Sequence, residues 1–448
     1  MAVRPFPQSK GLSTTRSLAQ QLADLGPFSG PKQLVQELDA STALPWLAAQ
    51  QDYPKAYWQR RDEQLELAGV GAVTTFTSAE DASDALTACA AFPLLLMAVV
   101  PFDPTNTEST QPPCFFLPRL LWQREPDQNR DPNSHKITLK LNLWVDDQRP
   151  FEQELKAAKK ALARIKPATL NTTLPEVLAE NNVPAEGQWT QQVEQALAEQ
   201  PALSKVVLAR RQQLTTATPC DPWYLLDQWR KANQHSSPFA FQLAPERCFI
   251  GCTPERLFRR EGHQLTSEAV AGTDVRPKDP LHARIIAMAL LGDGKNRREN
   301  RIVLDDILSQ LGPLCEALSY DDKARVLKLN RLQHLKREIR ARLRPKVRDD
   351  QLLERLHPTP AVGGTPKADA LQFIADHEPF QRGWYAGAIG YMSHAHSEFS
   401  VAIRSALVDG CQLALFSGAG IVEGSDAGKE WQELNNKLAT VRSLMDQE

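Results

Sequence analysis

The regular alternation of apolar and polar residues constrains the fold of this chain more than any other feature of its sequence. In Lys136–Val145 every second position from Ile137 to Leu143 is apolar. A period of two puts those side chains on one face of a half-buried strand. After Ser204 short segments of strand composition follow one another: Lys205–Arg210, Phe239–Leu243, Cys248–Cys252, His263–Ala269, Phe399–Leu407 and Gln412–Ser417. Because only single helices separate these segments, the sequence predicts an α+β fold with mostly antiparallel sheets.

Helical segments are predicted at 151–165, 188–200, 280–311 and 425–446, where helix-forming residues carry spaced apolar side chains. Residues 104–135 are rich in Pro, Asn, Asp and Ser and are expected to form loops around one short strand. The segment Val326–Leu343 is ambiguous, because its leucines recur at helical spacing within a part of the chain that is otherwise rich in strands.

Charge and cysteine content exclude several classes of protein. The net charge of the 448 residues is −2, which gives no long-range field to attract nucleic acid or an anionic membrane. The seven cysteines are scattered and lack the second pair or the histidines of a zinc site, so we expect a reducing, cytoplasmic compartment. No secretory signal is recognisable at the N-terminus, and the longest apolar run, Leu94–Val100, is too short to span a bilayer.

Three glutamates are candidate ligands of a hard cation. Glu299 lies in a helical pattern, and Glu430 and Glu433 lie three residues apart, on one face of another predicted helix. Carboxylates from two helices can hold Mg²⁺, which completes its coordination with water and substrate oxygens. Spacing alone does not show that the two helices meet, and each glutamate taken alone is more typical of a solvated surface.

Other residues suggest an anion-binding pocket. Arg404 falls on the small-residue face of the predicted strand Phe399–Leu407, and Gly418-Ala419-Gly420 would either let the backbone approach an anion or form a plain turn. Glu255 follows a strand at a tight turn, where it could also be an ordinary helix-start carboxylate. Lys205 begins an apolar strand, where it is either a buried base or a lysine that reaches solvent. No nucleotide-binding, hydrolase or metalloprotease motif accompanies these residues, so they do not name a reaction.

Taken in order, the motifs of the C-terminal half resemble those of the chorismate-utilising enzymes, the family of anthranilate synthase component I. The resemblance covers roughly 200–440 and rests on an ordered series: KVVLAR at 205–210, GCTPERLFRREG at 251–262, SEAVAGTDVRP at 267–277, RENRIVLDD at 298–306, LQHL at 332–335, HPTPAVGGTP at 357–366, RGWYAGAIGY at 382–391, VAIRSA at 401–406, FSGAGIV at 416–422 and EWQELNNKL at 430–438.

This resemblance implies a fold and a domain organisation. The family fold is an α+β sandwich of two mostly antiparallel sheets with helices outside and the active site between the sheets. We therefore expect residues 1–135 to form the N-terminal part of the fold and 136–448 to form the chorismate-binding catalytic region, within one structural domain. The resemblance also favours strand over helix for Val326–Leu343.

The resemblance further implies a role for individual positions. Lys205 resembles the base that activates the attacking water, and Glu255 the acid that protonates the departing hydroxyl. Glu299 and Glu433 match the Mg²⁺ ligands, with Glu430 as a direct or water-mediated third. The positions that match substrate-binding residues are Gly272, His334, Tyr385, Arg404, Gly418 and Lys437. Such a site needs an uncharged lysine and a protonated glutamic acid at the same time.

Two positions distinguish the members of this family. Anthranilate-forming relatives carry Gln where Lys205 stands, and common aminodeoxychorismate synthases carry a nucleophilic Lys where Ala271 stands. The resemblance is therefore closest to isochorismate synthases of the menaquinone type: isomerases in which water attacks C2 of chorismate and the C4 hydroxyl leaves.

Two alternatives remain open. The first is a salicylate synthase, which adds pyruvate elimination, and the second is a catalytically silent chorismate-fold subunit. We expect chorismate as the small-molecule partner and no nucleic acid, membrane or glutamine amidotransferase subunit. Whether the isochorismate serves menaquinone, a siderophore or salicylate stays undecided.

Overall fold

The computed structural model describes residues 16–39, 42–106, 111–127, 134–200 and 202–446. Twenty strands are found there: β1 (Gly30–Glu37), β2 (Lys55–Gln59), β3 (Glu66–Phe76), β4 (Leu95–Val100), β5 (Cys114–Pro126), β6 (His135–Val145), β7 (Val177–Val183), β8 (Lys205–Thr216), β9 (Ser237–Ala244), β10 (Arg247–Thr253), β11 (Arg256–Glu261), β12 (Gln264–Val275), β13 (Cys315–Tyr320), β14 (Arg325–Lys328), β15 (Leu332–Leu343), β16 (Gly364–Thr365), β17 (Ala388–Ser393), β18 (His396–Val401), β19 (Ser405–Asp409) and β20 (Gln412–Ile421).

The helices of the same residues are α1 (Leu18–Ala23), α2 (Ala43–Ala49), α3 (Ala79–Ala88), α4 (Phe151–Ala163), α5 (Glu186–Ala198), α6 (Pro222–Ala232), α7 (Pro280–Gly292), α8 (Gly294–Leu311), α9 (Asp349–Leu356), α10 (Lys367–His377) and α11 (Ala427–Met445), with a short 3₁₀ turn at Gly312–Leu314. No helix in the described part of the chain combines the length and the apolar composition needed to cross a membrane.

The strands form one continuous antiparallel sheet, called the ladder below. It has two arms, and both arms include β5. The first arm has the order β8–β20–β19–β10–β9–β2–β3–β5–β6–β1, with β7 and β16 both along the outer side of β8. The second arm leaves the start of β5 in the order β4–β17–β18–β11–β12–β15, and β13 and β14 both pair with β15. β5 serves both arms because β4 pairs with Cys114–Phe116 and β6 with Leu120–Pro126.

The two arms pack face to face through an aromatic core. The ring of Trp58 on β2 lies 5.2 Å from that of Tyr391 on β17, edge to face. Trp58 is fully buried, and burial of a large apolar side chain contributes about 1.5–3 kcal/mol. A second core lies between the other face of the first arm and helices that include α2, α4, α6 and α11. The prediction of an antiparallel α+β fold is therefore confirmed, and its two layers are arms of a single ladder.

The chain crosses from one arm to the other at two neighbouring points, and this geometry builds the site. One crossing joins β10 to β11 through Pro254 and Glu255, and the other joins β18 to β19 through residues 402–404. Backbone hydrogen bonds tie the crossings together, because the N–H of Val401 donates to the Glu255 carbonyl at 3.1 Å. The N–H of Cys252 donates in turn to the carbonyl of Arg404 at 3.0 Å.

The second crossing corrects the predicted continuous strand Phe399–Leu407. β18 ends at Val401 and β19 begins at Ser405, because the chain changes arms between them. Arg404 adopts a left-handed backbone with φ of 52°, which interrupts the extended conformation. The alternation of side chains on both sides of the break is what made the segment resemble one strand.

Two further expectations are wrong in detail, and one ambiguity is resolved. Gly418-Ala419-Gly420 is not a turn, because β20 continues through it to Ile421 and pairs with β8 along its length. The strand predicted within 104–135 is not short, since β5 spans 13 residues. Residues 107–110 and 128–133 of the predicted loops lie outside the described residues. The choice of strand for Val326–Leu343 is confirmed by β14 and β15.

The predicted helices are found, with one refinement. Residues 280–311 form two helices, α7 and α8, because Asp293 is extended between them. The Asp293 side chain caps the second helix by accepting the N–H of Asn296 at 2.7 Å. The division of the chain at 135/136 stays a prediction; it falls inside β6, which begins at His135 and pairs with β5.

Candidate active site

An open cavity lies where the two crossings meet β8, β20, α8 and α11. Its lining contains every residue that was predicted to bind substrate, namely Gly272, His334, Tyr385, Arg404, Gly418 and Lys437, together with Glu255, Glu299 and Glu433. The structure thus brings into one cavity residues that are separated by up to 182 positions in the sequence, from Glu255 to Lys437. Lys205 and Glu430 are not part of this lining: Lys205 contacts Glu299, which is, and Glu430 lies three residues before Glu433 on α11.

Lys205 reaches the cavity by way of Glu299. It is the first residue of β8 and is fully buried, and its Nζ lies 2.9 Å from Oε1 of Glu299. Gly420 on the neighbouring strand makes room for this ion pair. A Cβ at Gly420 would stand 2.5 Å from Oε1 of Glu299 and 3.0 Å from Cε of Lys205, so a larger residue there would displace one of them.

Glu299 is held in place by its neighbour on α8. Asn300 is fully buried, and its Nδ2 donates to the carbonyl oxygens of Ala269 at 3.1 Å and Leu335 at 3.1 Å, which fixes α8 against β12 and β15. Burial tends to raise the pKa of Glu299, but the charge and hydrogen bond of Lys205 outweigh it, and the pKa lies below its ordinary value. Glu299 is therefore an ionised carboxylate at neutral pH.

The three glutamates predicted to hold Mg²⁺ are each paired with a lysine. Glu433 Oε1 lies 2.6 Å from Nζ of Lys437, and Glu430 pairs with Lys295. Burial and the neighbouring charge of Glu433 raise the pKa of Glu430. Such repulsion between carboxylates is what a bound cation relieves.

The donor set fits Mg²⁺ bound through few protein ligands. The described residues contain no cluster of three or more His, Cys, Asp or Glu side chains close enough to form a complete metal cage. Glu299 and Glu433 nevertheless line the same cavity, and Mg²⁺ usually takes one or two carboxylates and fills its remaining positions with water and substrate oxygens.

Glu255 is an acid in its protonated form at neutral pH. Its side chain is buried at the first crossing, and burial together with the negative charge of Glu268 raises its pKa to about 8. Lys205, Lys437 and Arg404 act in the opposite direction without reversing the shift. The structure thus meets the requirement for a buried acid beside a basic pocket, and burial supplies the larger part of the shift.

His334 is a neutral side chain at the edge of the cavity. Burial and the charge of Arg404 lower its pKa well below the ordinary value. Thr273 Oγ1 lies 3.0 Å from its Nδ1, and Arg404 Nη2 lies 3.4 Å from its Nε2. Gly272 forms a bulge in β12 at this point, with φ of 81°, and a Cβ there would stand 3.0 Å from Asn296.

Arg404, Lys437 and Tyr385 form the remaining wall of the cavity. Arg404 Nη1 donates to the carbonyl of Lys437 at 3.0 Å, and Lys437 Nζ donates to the carbonyl of Gly418 at 2.8 Å. Burial lowers the pKa of Arg404 to about 10, so it remains charged at neutral pH. The ring of Tyr385 stacks on Phe416, and a Cβ at Gly418 would stand 2.8 Å from the Tyr385 hydroxyl. This wall can hold an anion of defined shape.

Sequence reasoning missed three residues that support the site. Thr273 orients His334, Lys295 neutralises Glu430, and Asn300 anchors the helix of Glu299. Thr273 and Asn300 each lie beside a residue that had been singled out, so only their proximity in sequence could have drawn attention to them. Lys295 carried no signal, because one lysine at the start of a helix rich in basic residues is unremarkable.

Comparison with known proteins places these residues in a family. The family model of the chorismate binding enzymes matches residues 29–446. Isochorismate synthase MenF of Escherichia coli strain K12 is 38% identical over 418 residues, which is 92% of this chain and 92% of that protein.

The solved structures that are similar to this one include those of an isochorismate synthase and of an anthranilate synthase component. That of MenF, the menaquinone-specific isochorismate synthase from Escherichia coli, superposes with a TM-score of 0.88 at 36% identity and covers 96% of this chain and 98% of that one. Anthranilate synthase component I from Streptococcus pneumoniae shares the fold, with a TM-score of 0.68 at 21% identity, covering 85% of this chain and 92% of that one.

Proposed function

This chain belongs to the family of chorismate-binding enzymes, and from that membership we propose that it is an isochorismate synthase, an isomerase that converts chorismate reversibly into isochorismate with the help of Mg²⁺. The observation that carries the proposal is the pairing, at one cavity, of a buried lysine with a glutamic acid that is protonated at neutral pH. The relation to MenF over nine-tenths of both chains supports the same activity.

Substrate binding follows from the charges of the cavity. Chorismate is a dianion, and Arg404 and Lys437 supply two fixed positive charges with hydrogen-bond donors that match carboxylate oxygens. Tyr385 and His334 restrict the position of the ring, and the absence of a Cβ at Gly418 keeps the wall open beside the Tyr385 hydroxyl. Mg²⁺ held by Glu299 and Glu433 would offset further negative charge on chorismate and polarise the oxygens of one of its carboxylates.

The reaction needs one proton to be removed and one to be supplied. We assign Lys205 to accept a proton from the water that attacks C2, for which its amine must first give up the charge that pairs it with Glu299. We assign Glu255 to donate its proton to the C4 hydroxyl, which leaves as water while the ring double bonds shift. One water enters and one leaves, so the substrate is isomerised, and the reverse reaction uses the two groups in exchanged roles.

The identity of two residues favours water as the nucleophile. Lys205 is the base that an attack by water requires, and Ala271 offers no amine that could attack the ring in its place. Ala271 lines the cavity together with Glu255, so a nucleophile at this position would lie beside the substrate.

Product identification tests this proposal. The purified chain is incubated with chorismate and Mg²⁺, and the products are separated by chromatography. Isochorismate as the first product supports the proposal, whereas salicylate with pyruvate identifies a salicylate synthase. Absence of turnover identifies a silent member of the family.

The cellular setting is part of the same proposal. All seven cysteines are free thiols, which suits a reducing cytoplasm. The structural relative is described as menaquinone-specific, and we extend that pathway to this chain. To test this pathway assignment, the chain is expressed in Escherichia coli that lacks MenF. We expect it to restore the synthesis of menaquinone.

A further inference from the structure

One buried ion pair holds both peptide groups that flank Glu255. Arg61 Nη1 donates to the carbonyl of Pro254 at 3.1 Å, just before the acid in sequence. The N–H of Arg256, just after it, donates to Oε1 of Glu268 at 2.9 Å. Arg61 and Glu268 are themselves joined by two parallel hydrogen bonds of 2.6 and 2.7 Å. The pair thus closes a ring of hydrogen bonds around the backbone of Glu255.

The two partners come from different arms of the ladder. Arg61 lies in the turn between β2 and β3 of the first arm, and Glu268 lies on β12 of the second. Their side chains are 17% and 1% exposed, so water screens the interaction little. Lys336 on β15 adds a third contact, with Nζ 2.5 Å from Oε2 of Glu268. The pair therefore spans the point at which Glu255 crosses between the arms.

We propose that Arg61 and Glu268 are positioning residues for Glu255, which fix the backbone on both sides of the acid and place a permanent negative charge beside it. This role rests on the proposed function, in which Glu255 is the proton donor. It also connects the N-terminal part of the chain to the proton donor, because Arg61 lies in that part. A bidentate Arg–carboxylate pair suits the task because its planar geometry fixes both partners.

The charges around Glu255 explain why an anion is useful there. Lys205, Lys437 and Arg404 face the acid with positive charge, and each favours its ionised form. Glu268 opposes them and raises the pKa of Glu255. Burial acts to raise the pKa of Glu268 itself, but Arg61, Lys336 and Arg256 outweigh it and bring that pKa to about 2, so Glu268 keeps its charge. Of these four neighbouring charges, that of Glu268 is the one that raises the pKa of Glu255.

The chain contains a matched control for this pair. Arg119 and Glu154 form two parallel hydrogen bonds of 2.6 and 3.0 Å. Arg119 donates in addition to a carbonyl, that of Asn142, and Glu154 accepts the N–H of Trp144, so the pair makes the same backbone hydrogen bonds and lacks only a counterpart of Lys336. Neither residue lines the cavity. The side chain of Glu154 is as deeply buried as that of Glu268, with 2% and 1% exposed, so its replacement reports the cost of a lost buried ion pair away from the cavity.

The test compares Glu268→Gln with Glu154→Gln in the full chain. We expect Glu268→Gln to lower kcat between about tenfold and about a hundredfold with KM for chorismate unchanged, because the acid is displaced and loses its proton more readily. The alkaline limb of the kcat profile should move to lower pH. Glu154→Gln should lower thermal stability by a similar amount and leave kcat and the pH profile as in the unmodified chain. Equal kcat values for the two variants would overturn the proposal.

Two further measurements keep the test decisive. Arg61→Lys retains the charge but cannot make both hydrogen bonds, so it should lose nearly as much kcat as Arg61→Gln; full activity of Arg61→Lys would contradict positioning by the guanidinium fork. The infrared band of a protonated carboxyl, assigned by its loss in Glu255→Gln, needs no substrate. In Glu268→Gln it should disappear at lower pH than in the unmodified chain, and an unchanged titration would overturn the electrostatic role. A chain without turnover would contradict the proposed function and still leave this titration measurable.

Discussion

Lys205 Nζ lies 2.9 Å from Oε1 of Glu299, so the proposed base and a proposed metal ligand form one buried ion pair. The pair is isolated from water on the lysine side, where the exposed fraction is zero. Charge at Glu299 therefore acts directly on the amine, and a cation at Glu299 would weaken that hold. This arrangement links the proposed Mg²⁺ requirement to the proposed proton transfer.

Lys205→Ala should lower kcat by about 10²–10⁴-fold, the range that a general base contributes. The variant should remain folded, because the backbone of β8 is paired with β20 on one side and β16 at its start. Steady-state kinetics with circular dichroism check both points. Lys429→Ala, a change at an exposed lysine of α11, is the control and should be fully active. Turnover by Lys205→Ala at the unmodified rate would remove the base assignment.

Glu433→Gln should raise the Mg²⁺ concentration needed for half-maximal activity by about tenfold or more, because the site loses one of few charged ligands. Calorimetric titration with Mg²⁺ alone should show the same weakening without turnover. Glu423→Gln, at an exposed position just before α11, serves as the control. If the metal dependence of Glu433→Gln equals that of the control, Glu433 is not a ligand.

The pH profile should show the titration of Glu255. Its carboxyl is protonated below its pKa of about 8 and ionised above it, and the proton donor must be protonated. We therefore expect kcat/KM, which reports the free enzyme, to fall as pH rises through about 8. Glu255→Gln should be inactive throughout, whereas Glu261→Gln at an exposed position should keep the profile. An alkaline limb that stays in place far above this pH would exclude Glu255 as the acid.

Gly420→Ala should disturb the ion pair between Lys205 and Glu299. Its Cβ would stand 2.5 Å from Glu299 Oε1, so the ion pair with Lys205 must shift, and kcat should fall about tenfold or more. Gly187→Ala is the control, because a Cβ there meets nothing within 4 Å. A fully active Gly420→Ala variant would show that the spacing of the ion pair is not important for turnover.

Local patterns in the sequence were sufficient to predict the strands and helices but not to predict how the chain passes between the two arms. Alternation located β6 and the strands after Ser204, because one face of each strand is buried and the other is not. The break at 402–404 could not be predicted in this way, since the residues on both sides alternate as if the strand continued. A change of arm depends on which strands pair across the ladder, and that information is not local.

The residues of the candidate site were likewise predicted where they lie in local motifs and missed where they do not. The motif series identified residues that the fold then brought into one cavity, including Glu255 and Arg404 at adjacent crossings. Arg61 had no motif around it, because its contribution arises only when the turn after β2 meets β12. Residues that act on the site through long-range hydrogen bonds carry no local sequence signal, and only the structure reveals them.

The most direct test of the central claim is turnover of chorismate in heavy-oxygen water, with mass spectrometry of the earliest product. The account predicts isochorismate that carries one heavy oxygen atom, at the C2 hydroxyl, because water activated by Lys205 is the nucleophile. Isochorismate without the label would contradict attack by water, and salicylate with pyruvate as the first product would contradict the assignment as an isochorismate synthase.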